Sequence, residues 1–138
     1  MKFAKEIITI LCDDIRDEEG NKRSLMGVYP RDYVVPKVDI LVPKLCLAVF
    51  VNGIKDLIPQ IKVTFYNPGF DPAVMHMEVP PLPDVEPEEK SINLGIIISP
   101  FRIKECGEAR FELDFGIKGS KKVIHRFTIK TPNEASTS

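Results

Sequence analysis

The chain contains no tryptophan, two histidines and three cysteines in 138 residues, and long uninterrupted apolar runs are also missing. A membrane helix needs about 18 consecutive apolar residues, so none is predicted. Lys and Arg number 19 against 20 Asp and Glu, which leaves a net charge of −1. With no global field to attract a polyanion or an anionic surface, we predict neither nucleic acid nor a membrane as partner.

The three cysteines, Cys12, Cys46 and Cys106, lie far apart in the sequence and beside apolar residues. Their odd number and wide spacing favour buried reduced thiols over a disulfide framework. The first apolar stretch is interrupted by Lys5 and Glu6, and no signal-peptide cleavage pattern follows it. We therefore expect a soluble, cytoplasmic protein.

Catalytic signatures are missing as well. The glycines are spread singly, and no P-loop, dinucleotide-binding, G-x-S-x-G, H-E-x-x-H or C-x-x-C pattern occurs. We therefore predict no cofactor and no enzymatic activity. A small hydrolase-like enzyme is kept as a second alternative.

What the sequence does contain is short apolar segments separated by 12 prolines and 8 glycines. Segments rich in Val, Ile, Phe and Leu between such residues are typical of short strands. The predicted strands span residues 3–12, 24–29, 45–52, 60–66, 73–79, 91–98, 109–115 and 122–130. They predict an all-β fold, a two-sheet antiparallel β-sandwich of about eight strands, immunoglobulin-like or C2-like. Residues 1–132 form a single domain in this interpretation, and 133–138 a flexible C-terminal tail.

Several segments carry a more specific expectation. Residues 45–51 and 94–98 are continuously apolar, which predicts two central strands with little solvent on either face. Residues 52–57 are expected to wind briefly as a helical turn. The Pro-rich, acidic segment 80–90 is expected to be an extended crossover that cannot join a sheet.

The C-terminal part predicts a hairpin. Ala109, Phe111, Leu113 and Phe115 alternate with charged residues, so one face is buried. In the following strand three apolar residues fall in phase on the inner face: Val123, Phe127 and Ile129. The outer faces are acidic on one strand and basic on the other, which predicts ion pairs across the ladder.

The densest run of one functional group is an acidic segment near the start, closed by Gly20 and Asn21. Its carboxylates belong to Asp13, Asp14, Asp17, Glu18 and Glu19. We interpret it as the solvated loop of a hairpin between the apolar runs 7–12 and 24–29. The alternative is a calcium-binding sandwich, because calcium takes about six to eight oxygen ligands. The spacing does not match an EF-hand, and a second acidic loop would have to contribute one of Asp56, Asp71, Asp84 or Glu86.

The histidines have no companion at ligand spacing. His76 is expected to point outward, opposite the face that Met75 and Met77 share. His125 lies in phase with Phe127, which predicts a half-buried imidazole with a backbone or hydroxyl partner. The basic residues of the last hairpin are interpreted as a solvated face: Lys118, Lys121, Lys122, Arg126 and Lys130.

One resemblance rests on the first third of the chain, on the segments LCDDIR, the acidic-glycine turn, SLMGVY and PKLCL. The chain resembles an uncharacterised family of small bacterial and phage proteins that share this pattern, and the resemblance implies a compact intracellular domain without catalytic residues. Within the motif, Arg16 is placed to bind the carboxylate of Asp13 or Asp14. The motif residues Asp13, Asp14, Arg16, Gly20, Gly27 and Tyr29 are therefore predicted to form a structural clasp that fixes the hairpin to the rest of the domain.

These observations favour a non-enzymatic binding or interaction module, related to phage or prophage proteins. Loops at one end, or an edge strand, are expected to meet a protein partner or a second copy of the chain. A homodimer formed through a sheet edge or face is one such arrangement.

Overall fold

The computed structural model describes residues 4–20, 22–54, 58–79 and 90–132. These ranges are built from strands joined by turns and loops, as the sequence predicts, and they contain no helical element. None of the described segments therefore has the helical length and hydropathy that crossing a bilayer requires.

Twelve strands occur in the described ranges. In chain order they are β1 (Glu6–Cys12), β2 (Asp14–Glu18), β3 (Lys22–Met26), β4 (Asp32–Val34), β5 (Ile40–Val42), β6 (Leu45–Ile54), β7 (Ile61–Tyr66), β8 (Ala73–Met77), β9 (Lys90–Ile98), β10 (Phe101–Ile103), β11 (Gly107–Asp114) and β12 (Lys122–Lys130).

The strands form four sheets. A three-stranded sheet has the order β1-β6-β9, and a five-stranded sheet has the order β4-β12-β11-β7-β8. Two smaller sheets pair β10 with β5 and β2 with β3. All pairs are antiparallel except β12 with β4, which run parallel. The purely antiparallel arrangement predicted from the sequence is wrong for this one pair.

One hydrophobic core joins the two larger sheets. From the three-stranded sheet it takes alternate residues of β6, whose other face is also largely buried, so the prediction of a central strand at 45–51 is confirmed. From the five-stranded sheet it takes Phe65, Phe111 and Phe127, whose rings stack, with 4.6 Å between the centroids of Phe65 and Phe111. Aromatic pairs at this separation add to the stabilisation that burial gives.

The second predicted central strand is wrong. Among the described strands β9 lies at the edge of its sheet, and Ile97 is 52% exposed although Leu94 and Ile96 of the same strand are buried. A continuous apolar run does not reveal whether a strand has one neighbour or two, because that depends on the order of strands in the sheet. The prediction of a helical turn at 52–57 is also wrong for residues 52–54, the part of this segment that the structure describes, because β6 continues to Ile54.

The last hairpin is confirmed, with one correction. The register shifts between Phe111 and Glu112, so that Val123 pairs with Glu112 instead of falling in phase with Phe127. The bulge instead turns Ile124 toward the core. Such a bulge places two residues opposite one on the partner strand, which a strict alternation count cannot anticipate.

Candidate functional site

The acidic segment is a strand and not the loop predicted from its composition. Asp14–Glu18 forms β2 and pairs with β3, with Asp14 opposite Met26 and Glu18 opposite Lys22. The first strand, β1, pairs with β6 and meets the returning chain only at the bridge between Leu11 and Tyr29. Charged residues can form this strand because it pairs with one other strand, β3, and leaves the side chains of Asp17 and Glu18 in solvent.

The hairpin β2–β3 lies over the outer face of the three-stranded sheet. A side chain added at Gly95 in β9 would meet the Ile15 Cδ1 atom at 3.5 Å and the Arg23 Nη1 atom at 3.9 Å. Ile15 and Arg23 thus sit directly on the β9 backbone. A Cβ at these distances is in ordinary van der Waals contact, so the space above Gly95 admits a small side chain and the contact does not by itself require glycine.

Asp13, Gly27 and Tyr29 form the clasp at the base of the hairpin. The Tyr29 hydroxyl donates a hydrogen bond to Asp13 Oδ1, and the Asp13 N–H donates to the Met26 carbonyl at 2.9 Å. Gly27 has φ +68, and a Cβ added there would lie 2.2 Å from Asp13 Oδ2. Glycine is therefore required by both the backbone conformation and the close approach of the carboxylate.

Asp14 links the hairpin to the three-stranded sheet. Its carboxylate accepts a hydrogen bond from Lys44 Nζ and another from Arg16 Nε at 3.3 Å. The hydrogen bond from Lys44, then that from Arg16, lowers the pKa of Asp14. The predicted Arg16 contact is present as a single bond from an exposed side chain, whereas Lys44, just before β6, is the residue that ties β2 to the sheet.

The remaining carboxylates of the cluster do not converge. Asp17 accepts from Arg23 Nε at 3.1 Å, and Glu18 accepts from the Ser24 hydroxyl at 3.1 Å. Within the described ranges, no three His, Cys, Asp or Glu side chains are grouped as ligands for a metal ion. Alternation along β2 is the reason, because neighbouring side chains of a strand point to opposite faces. Asp71 lies in the loop before β8, and Asp56, Asp84 and Glu86 lie outside the described residues.

Two of the thiols are buried beneath the hairpin. Cys12 and Cys46 are directly opposite each other in the β1–β6 ladder, and both are fully buried. Burial raises the pKa of Cys12 to about 11 and also raises that of Cys46. The thiols are thus protonated near neutral pH and are poor nucleophiles.

The two histidines behave as predicted. His76 is exposed on β8. His125 is half-buried, and its Nδ1 lies 2.8 Å from the Thr9 hydroxyl oxygen. The Thr9 hydroxyl also lies 3.3 Å from the Ile124 carbonyl. These contacts join β1 to β12, and so close one side of the core between the two larger sheets.

The basic residues of the last hairpin are largely exposed, in agreement with the solvated face predicted for them. Arg126 Nη1 lies 2.8 Å from Glu108 Oε1, and Lys121 Nζ lies 3.8 Å from Glu112 Oε1. The predicted ion pairs across the ladder are therefore present. Because acidic partners are interspersed, this face is not a concentrated anion-binding surface.

On the opposite side of the core from Thr9 and His125, the edges of the two larger sheets leave a groove. Its cavity of about 410 Å³ is lined by Met75 of β8, by Ile97 and Ile98 of β9, and by the core residue Phe65. Neither β8 nor β9 has a second strand beside it within the described residues. We call this feature the edge groove.

A second cavity, of about 380 Å³, adjoins the edge groove on the outer face of β5 and β10. Phe70 and Arg102 line both cavities. Lys104 Nζ lies 5.7 Å from the centroid of the Phe70 ring and 3.5 Å from the Gly69 carbonyl. A ligand occupying both cavities would therefore contact an aromatic ring and a guanidinium at their junction.

No family model and no curated protein matches the chain. The resemblance to the uncharacterised bacterial and phage family therefore stays a prediction.

The residues at the groove carry no sequence pattern from which their role could be predicted. Arg102 belongs to a strand of three residues, Phe101–Ile103, which is too short to show an alternation of apolar and polar residues in the sequence. Phe70 lies in the loop between β7 and β8. The only signal in the sequence was the uncharged run of residues 91–98, which marks an apolar strand but does not show that one of its edges is free.

Proposed function

We propose that this protein is a non-enzymatic interaction module with a β-sandwich fold, in which the three-stranded and five-stranded sheets form the two layers. It binds an extended segment of a protein partner by strand addition to the free edge of β9. The observation that carries the proposal is the edge of β9 beside the edge groove, which has no second strand next to it within the described residues and carries no charge between residues 91 and 98.

The edge of β9 has the properties of a template for another strand. An unpaired strand presents a row of backbone N–H and C=O groups, and proteins usually protect such edges with Lys, Pro or a bulge. Residues 91–98 contain no charged residue and no proline, and Ile97 is 52% exposed. Strand addition would satisfy the backbone groups, and the groove would take alternate side chains of the added segment.

The size and lining of the groove suit side chains better than a catalytic reaction. The volume of about 410 Å³ is at the lower end of the range for ligand pockets. The edge groove is lined by residues such as Phe65, Met75 and Ile98, and no histidine or cysteine lines it. These properties support binding without chemistry.

The test is to select peptides from a random displayed library on the purified protein and to measure their affinities by calorimetry. We expect peptides with alternating apolar residues. Two versions of such a peptide are then compared, each methylated on every second backbone nitrogen and offset from the other by one residue. One version should lose binding and the other should bind as before, because only one set of N–H groups faces the partner strand.

Matched variants locate the edge. Ile97→Lys, at an exposed position of β9, is expected to lower the affinity by roughly 10-fold or more, and Val74→Lys, at a similarly exposed position of β8, leaves it unchanged. The reverse result would transfer the site to β8. Sedimentation equilibrium tests whether the protein forms a dimer. If it does, and Ile97→Lys dissociates the dimer, the partner at this edge is a second copy of the chain. A library that yields no binder, together with a monomer, would refute the proposal.

A further inference from the structure

We infer that the segment bound at the edge groove carries an acidic side chain that pairs with Arg102, two residues from an apolar side chain that enters the cavity. This inference rests on the proposed function and specifies the chemistry of the partner. Arg102 lines both cavities, so a ligand that spans them passes over its guanidinium.

The position of Arg102 is fixed by the small sheet β5–β10. Arg102 pairs with Leu41, so these two side chains share the outer face, while Phe101 and Ile103 are turned inward and fully buried. The Arg102 carbonyl also accepts a hydrogen bond from Asn67 Nδ2 at 2.8 Å. The guanidinium is thus carried by a backbone anchored on both sides.

Within the described residues, the Arg102 guanidinium has no hydrogen-bond or ion-pair partner. The other charged groups that line the cavities are Lys104, Asp39 and Asp71. Lys104 is held at the Phe70 ring and the Gly69 carbonyl, and neither carboxylate lies within ion-pair distance of Arg102. Arg102 is therefore the cation that remains available to a ligand.

Covering an unpaired guanidinium is unfavourable, because the ligand removes water that the protein does not replace. A carboxylate offsets this cost through paired, charge-assisted hydrogen bonds, for which the planar guanidinium is suited.

The spacing follows from strand geometry. Side chains at i and i+2 of an extended segment point to the same face, about 6.5 to 7 Å apart. One such side chain would enter the apolar part of the groove beside Met75 and Ile97, and the next would reach the junction with the second cavity, where Arg102 and Phe70 lie.

The test repeats the peptide selection on two variants. Peptides selected on the native protein are expected to carry Asp or Glu two residues from an apolar residue, and those selected on Arg102→Glu to carry Lys or Arg there instead. Lys118→Glu reverses an exposed charge on the last hairpin that lines neither cavity, and it is expected to preserve the acidic preference. Thermal melts establish that both variants are folded.

Affinity measurements complete the test. Replacing the acid of a selected peptide by its amide is expected to weaken binding to the native protein by roughly 10-fold, and to Arg102→Gln by less than about twofold. Apolar peptides without an acidic preference would overturn this inference and leave strand addition standing. The same acidic preference in Arg102→Glu would also overturn it. If no peptide is selected at all and the protein is a monomer, both the inference and the proposed function fail.

Discussion

Protonation of His125 should destabilise the protein in mild acid. Nδ1 of His125 is hydrogen-bonded to the Thr9 hydroxyl oxygen at 2.8 Å. Nε2 is buried without a hydrogen-bond partner in the described residues. Burial lowers the pKa of His125 below its ordinary value of 6.5. Desolvation is the physical cause of this shift, because burial removes the water that would solvate the charged imidazolium.

The sign and size of the effect follow from proton linkage. Above pH 6.5 the imidazole is neutral in both states and does not affect the free energy of unfolding. As the pH falls below 6.5, the unfolded chain takes up the proton and the folded chain does not, so stability decreases. The slope approaches about 1.4 kcal/mol per pH unit until the folded pKa is reached, and then flattens. Each kcal/mol lowers the Tm of a domain of this size by about 2–5 °C.

The measurement is urea unfolding between pH 7.5 and 5, with His125→Gln and His76→Gln as a matched pair. His125→Gln removes the titrating group, so its stability should decline less steeply with acid than that of the native protein. His76 is exposed, and His76→Gln should follow the native curve. Carboxylates titrate equally in all three proteins, so the difference between curves isolates one imidazole. Parallel curves for the native protein and His125→Gln would refute the reasoning.

Three further outcomes are expected. Gly27→Ala should destabilise the protein by about 2 kcal/mol or more in urea, because it adds a Cβ at φ +68 against a carboxylate, whereas Gly119→Ala, at φ +82 with nothing within 4 Å, should show only the backbone cost of about 1 kcal/mol; equal losses would contradict the clasp. Phe111→Ala should cost about 3–5 kcal/mol, since its ring is fully buried in the core, and a loss below about 1 kcal/mol would show that the core repacks. The native protein should take one maleimide adduct at pH 7.5, on the partly exposed Cys106, and Cys106→Ser should take none. Additional adducts without denaturant would show that the buried, protonated thiols of Cys12 and Cys46 are accessible.

Local sequence patterns predicted the strands in which buried and exposed side chains alternate along the chain. Residues 109–115 and 60–66 read correctly because each strand has one buried face, so period-two alternation is visible in the sequence. The hydroxyl partner of His125 was predicted in kind, because a half-buried imidazole on a strand face requires one. The short strands β4, β5 and β10 were missed because three residues carry too little pattern.

The acidic segment shows why composition misled the prediction. Carboxylates disfavour strands in general, but β2 needs only one partner, and its Asp14 is held by a lysine 30 residues away. Neither the hairpin contact with Gly95 nor the bond from Lys44 leaves a trace in the local sequence. The bulge opposite Phe111 escaped notice for the same reason, since it depends on the register of two strands.

The sequence by itself determined that this protein is built from strands and which faces of the regular strands are apolar, because those properties follow from side-chain periodicity along one segment. Only the tertiary structure decided which strands stand next to one another. Among the described strands, the strand order leaves the edges of β8 and β9 free, and the pairing of β5 with β10 places Arg102 beside the groove. Pairing between distant segments is decided by the packing of the whole core, so the candidate binding site arises at a level that no single segment encodes.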